Sequence, residues 1–149
     1  DTIVNVLTHL DKTIVAVGTT SLRTLESLYW LGLKLLTQPA NPGLEIHQWE
    51  PYEYKGAQIP AADALQALLQ WLKLKNKKRL LSRTQLMIAP GYQARIAKGL
   101  ITNFHQPRST LLLLVAALAG KDWKKIYDYA LQHDFRFLSY GDGSLVWFS

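Results

Sequence analysis

Hydrophobic positions along the chain switch between two periods, and the switches mark out the elements. Ile3, Val6, Leu7 and Leu10 recur at helical spacing, so the stretch from Asp1 to Leu10 is expected to be the end of a helix. Thr13-Ile14-Val15-Ala16-Val17 is a β-branched apolar run and predicts a buried strand. Gly18-Thr19-Thr20-Ser21 then predicts a polar turn, and Leu22 to Leu33 a helix with Leu22, Leu25, Leu28 and Tyr29 on one face. Thr37 to Gly43 has the Pro and Gly content of a loop. Glu45 to Tyr54 is expected to be a strand interrupted at Pro51, with a turn at Lys55-Gly56. The clearest amphipathic helix is Pro60 to Leu74. There Ala61, Leu65, Leu68, Leu69 and Leu72 oppose Asp63, Gln66, Gln70 and Lys73, a pattern suited to packing on a core.

The second half repeats the alternation. Gln85 to Ile88 predicts a strand, Ala89-Pro90-Gly91-Tyr92 a tight turn, and Ile96 to Ile101 another strand. The polar segment Thr102 to Thr110 then runs into the uniformly apolar Leu111 to Leu118, closed by Gly120. A run so uniform predicts a helix buried on all sides, yet too short to span a bilayer. Ser109 or Thr110 can cap it, and its free N–H groups form a small anion site. Asn103, His105, Arg108, Ser109 and Thr110 would thus gather at a buried, positively polarised helix end. Such a cluster is either a capped helix or one side of a reaction site, and pattern alone favours the cap. Asp122 is expected to cap a last helix with Trp123, Ile126, Tyr127, Ala130 and Leu131 on one face. Phe135 to Leu138 alternates like a strand, Ser139 to Gly143 reads as a turn, and Leu145 to Phe148 as a final strand. Strands alternating with helices indicate an α/β fold, a mixed β-sheet with flanking helices.

Composition narrows this picture. A chain of 149 residues suits one domain, spanning 1–149. The absence of cysteine removes a disulfide framework or thiolate metal site and fits a cytoplasmic protein. None of the four histidines, His9, His47, His105 and His133, has metal-ligand spacing, so no metal is expected. The residue pattern leads to no expectation of a signal peptide or membrane span within these residues. A net charge of +6 permits a polyanionic partner without demanding one. Lys73, Lys75, Lys77, Lys78, Arg79 and Arg83 form a basic run, either a solvated helix end or a phosphate-contacting patch. His105, beside a helix start, would have a lowered pKa and stay neutral, the form of a general base. Asp142 in its glycine-flanked turn is a second candidate, although turn aspartates commonly bond their own backbone.

Three segments together resemble one family. Val17-Gly18-Thr19-Thr20-Ser21-Leu22-Arg23-Thr24-Leu25-Glu26, Thr102 to Leu112, and Phe135-Arg136-Phe137-Leu138-Ser139-Tyr140-Gly141-Asp142 are similar to segments of the S-adenosylmethionine:tRNA ribosyltransferase-isomerases of queuosine biosynthesis. Ile88 to Tyr92 fits a fourth, shorter piece. The resemblance covers the C-terminal part of that family's fold, and implies that an N-terminal part of the same chain lies upstream of Asp1. Residues from about Gln48 to Leu81 look like an enlargement of a shorter connection. Gly143-Ser144 stands where the family more often has Ala-Met.

The resemblance implies ribosyl transfer from S-adenosylmethionine, with isomerisation, onto 7-aminomethyl-7-deazaguanine at a tRNA wobble position. The product is epoxyqueuosine, and adenine and methionine are released, with no cofactor beyond the donor. His105, Asn103 and Asp142 are the expected catalytic residues. Gly18, Thr19, Thr20, Ser21, Arg23, Arg108, Ser109, Thr110 and Tyr140 are the expected substrate-binding residues. The chain alone is expected to be inactive. Two other readings compete: a non-catalytic tRNA-binding module using the basic run 73–83, and a donor-binding relic.

Overall fold

The computed structural model describes residues 1–40 and 42–148, so Asn41 of the expected 37–43 loop lies outside the described residues. In chain order the elements are α1 (Thr2–Thr8), β1 (Val15–Val17), α2 (Thr19–Thr37), β2 (Glu45–Ile46), α3 (Glu50–Glu53), α4 (Ala61–Leu74), β3 (Arg83–Thr84), β4 (Gly99–Asn103), α5 (Thr110–Ala119), α6 (Trp123–Gln132) and β5 (Gly143–Trp147). A 3₁₀ turn at Gly120–Asp122 joins α5 to α6. The main sheet has the order β1-β4-β5. β1 runs parallel to β4 with Val17 opposite Ile101, and β5 runs antiparallel to β4 with Leu145 opposite Ile101. The α/β architecture with a mixed sheet and flanking helices is therefore as the sequence pattern indicated. A second small sheet pairs β2 with β3 in parallel.

Strand alternation places Ala16, Leu100, Thr102 and Val146 on one face of the main sheet, all buried. Helices α2 and α5 cover this face, α2 against β1 and β4 and α5 against β5. The most extensive helix contact is α2 on α4. It is close because Gly32 faces Ala64: a Cβ on Gly32 would collide with the Ala64 carbonyl oxygen. A mid-helix glycine costs roughly 1 kcal/mol relative to alanine, and here the close helix approach offsets it. Leu22, Tyr29, Leu31, Leu65, Leu68, Ile88, Leu100 and Leu114 form the centre of one continuous apolar core. The helix within the segment 48–81 thus contributes to that core through Ala64, Leu65 and Leu68.

Several local expectations are corrected. Thr19 to Ser21 form the first turn of α2 rather than a separate polar turn. Glu45 to Tyr54 is not one strand: only Glu45–Ile46 pairs, and the chain turns into α3 with Pro51 in its first turn, where proline's missing N–H costs nothing. Gln85 to Ile88 is not a regular strand. Its Gln85 and Met87 N–H groups donate to the carbonyls of Ile46 and Gln48 (2.9 and 3.1 Å), but the single Tyr52 hydroxyl hydrogen is shared between the carbonyls of Met87 and Ala89 (3.1 Å each). The strand expected from Ile96 begins only at Gly99, because the Ile96 and Ala97 N–H groups donate to the Glu26 carboxylate.

Phe135 to Leu138 alternates but has no strand partner; Phe135 and Phe137 pack on Phe104, and Leu138 takes φ 69°. Helix α5 is not buried on all sides, since Leu113 is 46% exposed. Asp122 makes no capping bond; its carboxylate pairs with Lys125 Nζ at 2.9 Å instead.

Candidate active site

In open α/β sheets, ligands bind beyond the carboxyl ends of the parallel strands. Here β1 and β4 end side by side, and β5 enters from the same end, with Gly143 opposite Asn103. The topology therefore brings together three polar segments far apart in sequence: Gly18–Ser21, Asn103–His105 and Tyr140–Asp142. Gly18 is tied to β4 two residues before Asn103, its N–H donating to the Ile101 carbonyl at 2.8 Å. Its φ of 87° and ψ of 147° lie in a region open to glycine, which turns the chain straight from β1 into α2. Gly18 has no side chain to cap α2, so the N–H groups of the first turn lack a side-chain cap. Thr20 and Ser21 are exposed there, and Thr19 is half-buried.

Phe104 sets the geometry of its two neighbours. Its ring is buried against Tyr127, Phe135 and Phe137, with centroids 5.4, 5.5 and 5.5 Å away. Its backbone N–H donates to the Asp142 carbonyl (3.3 Å), and its carbonyl accepts from Leu138 N–H (2.9 Å). Asn103 Nδ2 donates to the Gly141 carbonyl at 3.2 Å. His105 N–H donates to the Tyr127 hydroxyl at 3.0 Å, and its ring Nε2 lies 2.8 Å from the buried Thr102 Oγ1. Burial pushes the His105 pKa below its ordinary value, so the imidazole is neutral at pH 7. The direction is the one expected, but the cause is desolvation, not the helix dipole. The N-terminus of α5 is itself capped by Ser109, whose Oγ accepts from Leu112 N–H at 3.1 Å. That helix end is not buried: Arg108 and Thr110 are exposed and Ser109 is half-exposed.

Asp142 is already engaged within its own loop. Oδ2 accepts from Arg136 N–H at 2.8 Å, and Oδ1 is 3.2 Å from Arg136 Nη2. Hydrogen bonding to Arg136 holds its carboxyl below the usual range. This is the local bonding common for a turn aspartate, and it makes Asp142 a clamp for the 136–142 loop. Tyr140 is 95% exposed. Arg23, one turn into α2, has a buried Nε without a hydrogen-bond partner. Arg108, Ser109 and Thr110 instead line a cleft of about 230 Å³ with Leu112, Leu113, Ala116 and Trp123. The expected binding residues are thus divided between the sheet edge and this cleft. The basic residues from Lys73 to Arg79 are all exposed at the end of α4, with Lys77 Nζ 5.4 Å from the Trp71 ring centre. Among the described residues no three His, Asp or Glu side chains are grouped to hold a metal ion. No helix among them is long and apolar enough to cross a membrane.

Residue pattern does not single out the most connected polar side chain among the described residues. Glu26 is fully buried and accepts four hydrogen bonds. They come from Tyr92 OH (2.9 Å), Arg95 N–H (2.7 Å), Ile96 N–H (2.9 Å) and Ala97 N–H (3.0 Å). Tyr92 OH also accepts from Trp30 Nε1 at 3.0 Å. Burial, and then the Glu26 charge, push the Tyr92 hydroxyl pKa well above its ordinary value, so it remains a donor. Glu26 lies on the same helix as Thr19–Ser21 and ties α2 to the segment leading into β4. Its sequence signals were its place at the end of the family-like segment Val17–Glu26 and a carboxylate on the apolar face of α2, one turn before Trp30.

Residues 2–146 match a protein family described as "Queuosine biosynthesis protein". A protein of Cereibacter sphaeroides named S-adenosylmethionine:tRNA ribosyltransferase-isomerase is 55% identical over 64 residues, which is 42% of this chain and 18% of that protein. A protein of the same name from Halothermothrix orenii is 45% identical over 73 residues, 48% of this chain and 21% of the relative. The crystal structure of an S-adenosylmethionine tRNA ribosyltransferase from Thermotoga maritima superposes with a TM-score of 0.55 at 32% identity. That match covers 91% of this chain and 33% of the Thermotoga chain.

Proposed function

The chain belongs to the queuosine biosynthesis protein family, and from that premise we propose that it forms one wall of the active site of an S-adenosylmethionine:tRNA ribosyltransferase-isomerase. The reaction on this reading moves the ribosyl unit of S-adenosylmethionine onto 7-aminomethyl-7-deazaguanine at the tRNA wobble position. Isomerisation of the ribosyl unit yields epoxyqueuosine, and adenine and methionine leave. The enzyme works in the cytoplasm, and the domain 1–149 needs the rest of the family's polypeptide for turnover. The single observation that carries this reading is the convergence of the three family-like segments at the carboxyl end of β1 and β4.

The chemistry fits the groups gathered there. A sulfonium acidifies the protons on the adjacent C5′ carbon, so a base of moderate strength suffices to remove one. His105, kept neutral by burial, is suited to that role, and Thr102 fixes its ring. The polarised N-terminus of α2, with Thr19, Thr20 and Ser21, suits the methionine carboxylate of the donor. Arg23, one turn further along α2, suits the same carboxylate through its guanidinium. Asn103 is suited to hold a ribose hydroxyl, with Gly141 setting its amide. Tyr140 is free to cover the adenine once the ligand is in place. Arg108, Ser109 and Thr110 would act through the apolar cleft on α5, which suits an uncharged part of a substrate. Asp142 acts by holding the 136–142 loop rather than by accepting a proton.

The test is a reconstituted assay. This chain is combined with the portion of the Thermotoga relative lying outside the matched third. S-adenosylmethionine and tRNA carrying the deazaguanine base are added, and the tRNA digest is analysed by mass spectrometry. Epoxyqueuosine is expected with both polypeptides and with neither alone. His105→Gln is expected to lower the turnover rate about 100-fold or more, in the range of a lost general base, with the KM for donor nearly unchanged. Near-normal turnover of that variant removes His105 as the base. Binding of tRNA with a steep salt dependence and no binding of S-adenosylmethionine would favour the non-catalytic module.

A further inference from the structure

Among the described residues, the helices α2 and α5 pack on one side of the main sheet, and the other side is largely open to solvent. Alternation places Val15 and Val17 of β1, Ile101 of β4, and Leu145 and Trp147 of β5 on that second face. Val17, Ile101 and Leu145 are mutual partners in the ladder, so they form one continuous row across all three strands. They are 67%, 42% and 51% exposed. Trp147, 56% exposed, forms the next row with Gly99; a Cβ on Gly99 would meet its ring at 3.0 Å, which confirms that the indole lies on this face. The opposite face holds Ala16, Leu100 and Val146, each at 3% exposure or less. Sheets built wholly of parallel strands are covered on both faces, because their crossovers carry helices to both sides, and β1 with β4 is such a parallel pair. A contiguous apolar row open to water is the mark of an interface, not of a finished surface.

We infer that this open face is the docking surface for the polypeptide that longer family members carry outside the stretch matched by this chain. The inference rests on the proposed function for its partner and on the sheet geometry for its location. The length of the relatives argues for this occupant. The superposition uses 33% of the Thermotoga chain, which leaves two thirds of a related enzyme to be accommodated. The face also runs up to the proposed site, because Asn103 is two residues beyond Ile101 on the same strand and therefore on the same side. A segment seated on Ile101 and Leu145 would place its own side chains beside Asn103 and Gly18. Docking on this face would thereby supply the second wall of the site.

The experiment co-expresses this chain with the complementary portion of the Thermotoga relative and maps the complex by hydroxyl-radical labelling. Association is expected, with Ile101, Leu145 and Trp147 protected in the complex and labelled in the chain alone. Ile101→Asp and Leu145→Asp are each expected to weaken association at least tenfold. Leu74→Asp, on an exposed position of α4 remote from the sheet, leaves it unchanged. The thermal midpoint of the isolated chain is expected to stay within about 3 °C in all three variants, as for substitutions at exposed positions. Failure to associate overturns the proposal, as does a complex in which the three side chains remain labelled. So does self-association of the chain through the same face. Turnover is measured on the same complex: a complex made through this face that forms no product refutes the proposed function and leaves the docking surface standing.

Discussion

Glu26→Gln isolates what the buried carboxylate contributes. Oε2 receives Tyr92 OH and Arg95 N–H, and Oε1 receives Ile96 and Ala97 N–H. An amide must present its NH₂ to one of these pairs. The less costly orientation sets NH₂ toward Tyr92 and Arg95, since the hydroxyl can accept as well as donate. Arg95 N–H is then left facing a donor. An orphaned buried donor costs roughly 1–3 kcal/mol, and the bonds that remain lose their ionic strengthening, so the total is about 2–4 kcal/mol. With a urea m-value of about 1.5 kcal/mol per molar, the midpoint falls by about 1–3 M at unchanged slope. Equilibrium urea unfolding followed by tryptophan fluorescence measures this, with the exposed Glu53→Gln as the reference. Tyr92→Phe alone is expected to cost about 1–2 kcal/mol, and the double variant less than the sum, because both changes break one network. A midpoint shift under about 0.3 M for Glu26→Gln, or full additivity in the cycle, refutes the reasoning.

Three further outcomes follow from the packing and the loops. Gly32→Ala must separate α2 from α4 at the Ala64 carbonyl, and overpacking of this kind costs about 1–3 kcal/mol, read as a lower thermal midpoint despite alanine's better helix propensity. Ser109→Ala removes the one side-chain cap bond of α5 and is expected to destabilise by about 1 kcal/mol in urea unfolding, with faster amide exchange at Leu112. Asp142 has a depressed carboxyl pKa, so the order it gives the 136–142 loop is present above the unfolded value near 3.9 and is lost as the pH falls through the lower, folded value. Protection of the Arg136 amide, measured by exchange across that range, should fall in the native chain, whereas Asp142→Asn should show low protection at every pH.

Residue pattern alone determined the α/β class, the long helices and the mixed sheet. Helices α2, α4 and α5 were legible because each carries its own periodic apolar face, a local property. The segments around Gly18, Asn103 and Asp142 were also recognisable as polar punctuation between apolar runs. Short extended stretches were not legible. Alternation such as Phe135 to Leu138 requires a partner strand to become β-structure, and here the partner is the aromatic cluster around Phe104. The same holds for Ile96, whose N–H group is taken by Glu26 and not by a strand. Only the tertiary structure decided which polar residues meet. The parallel register of β1 with β4 aligns their carboxyl ends and makes neighbours of Gly18 and Asn103, some 85 positions apart in the chain. Burial of Glu26, desolvation of His105 and exposure of the Val17, Ile101 and Leu145 row arise from the placement of elements against each other. Hydrophobic pattern states which side of an element seeks cover; what covers it is decided by elements far away in the chain.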